Sequence, residues 1–111
     1  MNTAYFYLTD EGGKLAHKLA TAHPGDIYNK ENFKENLRAA FGKYDSLVCI
    51  MATGIVVRIL APLIVHKMSD PAVVVLDQKG KHAISLLSGH LGGANDLARE
   101  MAAISGGEAV I

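Results

Sequence analysis

The chain has 111 residues, 50% hydrophobic and 20% charged, which suits one globular domain and leaves little room for two. Lys plus Arg and Asp plus Glu both number 11, so no excess positive charge draws the whole chain onto nucleic acid or an anionic membrane. The single cysteine, Cys49, excludes an internal disulfide, and its place in the run Leu47-Val48-Cys49-Ile50-Met51 marks it as a core residue of a chain kept in a reducing, cytoplasmic compartment.

Ala4 to Leu8, rich in aromatics, reads as a first strand, with Thr9-Asp10 as the cap of the helix that follows. Leu15, Ala16, Leu19, Ala20 and Ala22 then recur at helical spacing until His23-Pro24-Gly25 stops them. Asp26 to Asn29 is too short to assign, whereas Phe33, Leu37, Ala40 and Phe41 form one face of a helix closed by Gly42. Asp45 to Ala52 is a continuously apolar second strand, and Thr53-Gly54 turns it into an apolar helix reaching about His66, kinked or restarted at Pro62. The apolar run from Leu47 to Val65 is long enough to span a bilayer. Gly54, Pro62 and the charge of Arg58 near its middle argue for a buried strand running into a helix instead. Ala72 to Leu76, the turn Asp77-Gln78-Lys79-Gly80 and His82 to Leu87 read as a hairpin. Ala94, Leu97, Ala98, Met101 and Ile104 mark a last helix, stopped by Gly106-Gly107, and Glu108 to Ile111 opens a further strand. The fold expected is α/β: a three-layer, open, mostly parallel sheet with helices on both faces and one β-hairpin. It forms a single domain over 1–111, read as the N-terminal domain or a fragment of a longer multidomain protein.

Ser88-Gly89-His90-Leu91-Gly92-Gly93-Ala94-Asn95 places three glycines where a strand gives way to a helix N-terminus. Exposed amides and the helix dipole favour a carboxylate or phosphate at such a junction. The same spacing also suits a plain tight turn with Asn95 or Ser88 capping the helix, and it divides the two readings evenly. It matches neither the dinucleotide fingerprint nor a phosphate loop with its lysine, and Ser88 lacks the preceding glycine of a nucleophile elbow. His90 has the chemistry of a general base, a carboxylate donor or a ligand to a metal carried by the substrate; local sequence by itself favours a loop-orienting role. A second loop, Thr53-Gly54 with Arg58 one turn further on, offers another anion site, against the commoner fate of a snorkelling arginine. No His, Cys and Asp set has metal-site spacing. If the strand at Ala72 runs parallel to the one at Leu47, its hairpin partner returns the other way, and the Gly89 and Thr53 loops emerge at opposite sheet edges.

The run Ala52-Thr53-Gly54-Ile55-Val56-Val57-Arg58, then Ala61-Pro62-Leu63, Asp70-Pro71-Ala72-Val73-Val74-Val75 and Leu86 to Ala98 closely resemble the N-terminal region of the cobalamin-biosynthesis protein CbiG family. The likeness covers the second half of the chain well and the first half weakly. It implies an enzyme of anaerobic cobalamin biosynthesis that hydrolytically opens the δ-lactone of cobalt-precorrin-5A, releasing acetaldehyde and giving cobalt-precorrin-5B. It also implies no cofactor, the cobalt being carried by the substrate. The partners expected are the corrinoid precursor and the C-terminal domains of the same protein, without nucleic acid or membrane and with a homodimer left open. The alternative is a non-catalytic corrinoid- or anion-binding domain of that enzyme. The corrinoid's carboxylates suit the loops described. His90 is the expected catalytic residue, and Thr53, Gly54, Arg58, Ser88, Gly89, Gly92, Gly93 and Asn95 are the expected substrate-binding set, these roles resting on chemistry alone.

Overall fold

The computed structural model describes residues 2–89 and 93–111. The aromatic run forms strand β1 (Thr3–Tyr7), and Thr9 caps helix α1 (Asp10–Ala22) by accepting the Gly12 amide at 3.0 Å. Beyond Pro24, β2 (Asp26–Tyr28) lies so close to β1 that a Cβ on Gly25 would stand 2.5 Å from the Thr3 carbonyl oxygen. Then come α2 (Phe33–Phe41), β3 (Ser46–Ile50), α3 (Thr53–Leu60), a 3₁₀ turn over Ala61–Leu63, and β4 (Ala72–Leu76). β5 (His82–Leu87), α4 (Ala94–Ser105) and β6 (Glu108–Val110) complete the order.

The six strands form one sheet in the order β2-β1-β3-β4-β5-β6, with every pairing parallel except the antiparallel β4–β5 hairpin. The expected α/β architecture is therefore observed, with helices on both faces. Side chains alternate across β1, β3 and β4 into two cores. Tyr5, Val48, Val74 and Leu76 pack under Leu19 of α1 and Met101 of α4. Phe6, Leu47, Val73 and Val75 pack under Leu37 of α2 and Val56 of α3. Each large side chain buried this way contributes about 1.5–3 kcal/mol. Burial on both faces is why these strands read as unbroken apolar runs. Among the described residues no helix is long and apolar enough to cross a membrane.

Two local expectations change. The short Asp26–Tyr28 segment is a true edge strand, held by pairing with β1 and by Tyr28 stacking on Phe6 at 4.9 Å. The helix after β3 ends at Leu60, well before His66, because Pro62 has no N–H to continue the ladder and the chain tightens into a 3₁₀ turn before extending at Ile64.

Candidate functional site

The paired registers put the two candidate loops at opposite ends of the strands. Ile50 pairs with Leu76, so the loops after β1, β3 and β4 share the sheet edge where those strands end. Leu87 pairs with Val73, so the segment after β5 leaves from the other edge. Thr53, Gly54 and Arg58 are thus brought together, as are Ser88, Gly89, Gly93 and Asn95, and the two sets do not meet. His90 and Gly92 lie outside the described residues.

The first edge holds an open crevice of about 330 Å³. It sits between β1 and β3, where the chain switches from placing α1 on one face to placing α2 and α3 on the other, the position at which open α/β sheets receive ligands. Its walls are Leu8, Ile50, Met51 and Ile55, with Thr9, Asp77 and Gln78 at the rim. The Thr9 hydroxyl, besides capping α1, donates to Gln78 Oε1 at 2.9 Å and ties the first loop to the β4–β5 turn. The Asp77 carboxylate accepts the amides of His82 at 2.8 Å and of Lys79 and Lys81 at 3.2 Å. Partial burial pushes its carboxyl up, but these backbone donors outweigh that and leave it below the ordinary carboxylate range. Asp77 therefore shapes the rim rather than offering a free charge.

Helix α3 opens onto this edge behind Ala52, which gives its first amides no side-chain cap and whose carbonyl accepts the Ile55 amide at 3.1 Å, leaving those of Thr53 and Gly54 to face the edge. Arg58 folds back over that first turn, so a Cβ on Gly54 would stand 3.2 Å from its Nη1. Among the described residues Arg58 has no carboxylate in salt-bridge distance. Amides, dipole and guanidinium thus converge at an exposed point beside an apolar crevice, a pattern suited to a carboxylate on an apolar body.

At the other edge the helix start is closed by main chain. Ala94 N donates to Ser88 O at 3.1 Å and Asn95 N to Gly89 O at 3.0 Å, so neither Ser88 nor Asn95 caps α4 through its side chain. The Ser88 hydroxyl donates to Asp70 O at 3.2 Å, and Asn95 Oδ1 accepts the Ser85 hydroxyl at 2.6 Å. An anion here would have to replace two carbonyl partners. Ser88 nevertheless holds φ at +60°, a left-handed conformation that a non-glycine residue adopts at a cost.

Sequence reasoning did not foresee the Thr9–Gln78 bridge, which joins residues 69 apart. It also missed a hydrogen-bonded chain from Thr3 Oγ1 to His23 Nε2 at 3.1 Å and from His23 Nδ1 to Glu100. That chain has the order of a nucleophile relay, yet Thr3 is only 1% exposed, so its hydroxyl meets no substrate and the three residues tie α1 to α4. Cys49 is equally withdrawn, with burial pushing its thiol up to about 12. Among the described residues no three His, Cys, Asp or Glu side chains converge to hold a metal ion.

Comparison with known proteins bears on this geometry. The chain is 47% identical to the cobalt-precorrin-5A hydrolase of Salmonella typhimurium over 97% of its own length, which is 34% of that enzyme. It is 54% identical to the cobalt-precorrin-5A hydrolase of Priestia megaterium over 60% of the chain and 18% of that protein. A crystal structure of a cobalamin biosynthesis protein G homolog from Sulfolobus solfataricus superposes with a TM-score of 0.84 at 26% identity, covering 99% of this chain and 36% of that one. The chain thus spans about a third of the Salmonella and Sulfolobus proteins. The sequence model described as cobalamin synthesis G N-terminal matches residues 35–111, a span that includes β3, α3 and the whole α4 edge. On that match the chain belongs to the cobalamin synthesis G N-terminal family.

Proposed function

We propose that this chain serves as the N-terminal part of a cytoplasmic cobalt-precorrin-5A hydrolase, which adds water across the δ-lactone of its corrinoid substrate and releases acetaldehyde to give cobalt-precorrin-5B. The observation that carries this reading is 47% identity to the Salmonella enzyme over 97% of the chain. Within it, the uncapped start of α3 with Arg58 holds a carboxylate side chain of the substrate, and the apolar crevice beside it takes part of the macrocycle's edge. The chain's role on that edge is to bind and orient. Cobalt enters with the substrate.

A second reading is favoured by the left-handed Ser88. In it, the loop before α4 is the working edge: His90 activates water or the departing group, and Ser88, Gly89, Gly92, Gly93 and Asn95 hold the oxyanion or a carboxylate.

The test is a chimera in which this chain replaces the matched segment of the Salmonella hydrolase, assayed for acetaldehyde release from cobalt-precorrin-5A. Turnover close to that of the parent enzyme is expected. A folded chimera without turnover overturns the assignment, and saturable corrinoid binding by the isolated chain supports its binding role.

A further inference from the structure

The two faces of the sheet are not covered alike. On one, α1 and α4 extend the core out to Ala83 of β5 and Ala109 of β6. On the other, α2 and α3 cover β1, β3 and β4, and Leu86 and Leu87 are only partly buried. Ile84 and Val110 pair across β5 and β6 and alternate with Ala83 and Ala109, so they point to that second face, where neither joins a buried cluster. Val57 of α3 is exposed as well, as are Ile64, Val65 and Met68 in the connection that follows it, with Val65 at 82% and Met68 at 69%. A groove between Val57, Leu60, Ile64 and Leu86 joins that connection to β5. Large apolar side chains grouped in this way are unfavourable to leave in water and mark a surface that another body covers.

We propose that this half-open face is the docking surface for the polypeptide that the longer cobalt-precorrin-5A hydrolases carry outside the segment matched here. The inference rests on the proposed function above. Three observations point to that occupant. The chain spans 34% of the Salmonella enzyme and 36% of the Sulfolobus protein, so the larger part of each lies outside the match. The family model that matches residues 35–111 describes an N-terminal region, so the proteins it covers carry further polypeptide. In the connection after α3, His66 and Lys67 are exposed between Val65 and Met68, while Asp70 is buried and accepts the Val65 amide at 3.0 Å. The complementary surface is therefore apolar at its centre, with acidic residues facing His66 and Lys67 and a basic one facing Glu108, which alternates onto the same face as Val110.

The test introduces one cysteine at a time, Val57→Cys or Met68→Cys, with Glu35→Cys on the exposed side of α2 as reference. Cys49 is fully buried and does not compete for reagent. Alkylation rates are read by peptide mass spectrometry in the isolated chain and in the Salmonella chimera. At least tenfold slower labelling at 57 and 68 in the chimera, with Glu35→Cys unchanged, is expected; equal rates overturn the proposal. In the isolated chain, Val57→Asp and Met68→Asp should leave the urea midpoint where it was, and a clear fall at either would show that the chain itself covers the patch. Sedimentation should find a monomer, and a dimer broken by Met68→Asp would assign the face to a second copy instead. A protected chimera that releases no acetaldehyde refutes the function and keeps the docking surface. An active chimera labelled at the isolated rate refutes the docking alone.

Discussion

Gly54 separates what the fold needs from what a ligand needs. It is the second residue of α3 and has no positive φ, so alanine fits its backbone conformation. Among the described residues the one neighbour within reach of an added Cβ is Arg58, with Nη1 at 3.2 Å, the far end of a flexible side chain that can swing away. Gly54→Ala should therefore stabilise the isolated chain by about 0.5–1 kcal/mol through the lost entropy of the unfolded glycine. With a urea slope of about 1.5 kcal/mol/M, that raises the unfolding midpoint by about 0.3–0.7 M. In the Salmonella chimera the same methyl group occupies the approach to the first amides and moves Arg58 outward. KM for cobalt-precorrin-5A should then rise by about tenfold, equivalent to ~1.4 kcal/mol of lost binding. A fall in the urea midpoint would show that the glycine serves the fold, and an unchanged KM would show that no substrate group approaches it.

Gly89→Ala should behave oppositely, because its Cβ would lie 2.6 Å from Asn95 Oδ1, which is held by Ser85; a loss of about 1–3 kcal/mol is expected in urea unfolding. Met101→Ala, at a fully buried position, should cost about 2–5 kcal/mol by the same measurement. Asp77→Asn should lower Tm at pH 7 by about 4 °C, for roughly 1 kcal/mol of charge-assisted hydrogen bonding. Because the folded carboxyl lies below its unfolded value of about 3.9, the wild-type advantage is complete above that pH. It is lost as pH falls through the lower folded value, so the two melting curves should converge only in strong acid. Native Cys49, its thiol pushed up to about 12, should react with a thiol reagent only as fast as the chain unfolds, and rapid labelling at pH 8 would contradict the packing around β3.

The main strands and helices were legible because burial on both sheet faces writes unbroken apolar runs such as Ala72 to Leu76, and amphipathic helices write the spacing of Leu15, Ala16 and Leu19. The three-residue β2 was not, since its stability comes from pairing with β1 and from Tyr28 on Phe6, neither of which is local. The same holds for the end of α3, where the apolar pattern continued past a proline that the backbone could not follow as α-helix. Opposite edges for the two glycine loops could be deduced once the hairpin was recognised, because an antiparallel return reverses the strand end. The crevice itself was hidden: Thr9 and Gln78 are ordinary cap and turn residues until the sheet order brings them together across the end of β3.

On the proposed reading, substrate carboxylate is held where α3 begins. A ¹⁵N-labelled sample of the chain titrated with a diamagnetic cobalt(III) corrinoid bearing free carboxylates tests it directly. The amides of Thr53, Gly54 and Ile55 should shift saturably, with Thr9 and Gln78 following, while Ala94 and Asn95 stay in place. Shifts confined to Ser88, Gly89, Ala94 and Asn95, with residues 53–55 unmoved, would contradict it and transfer the working edge to the other end of the sheet.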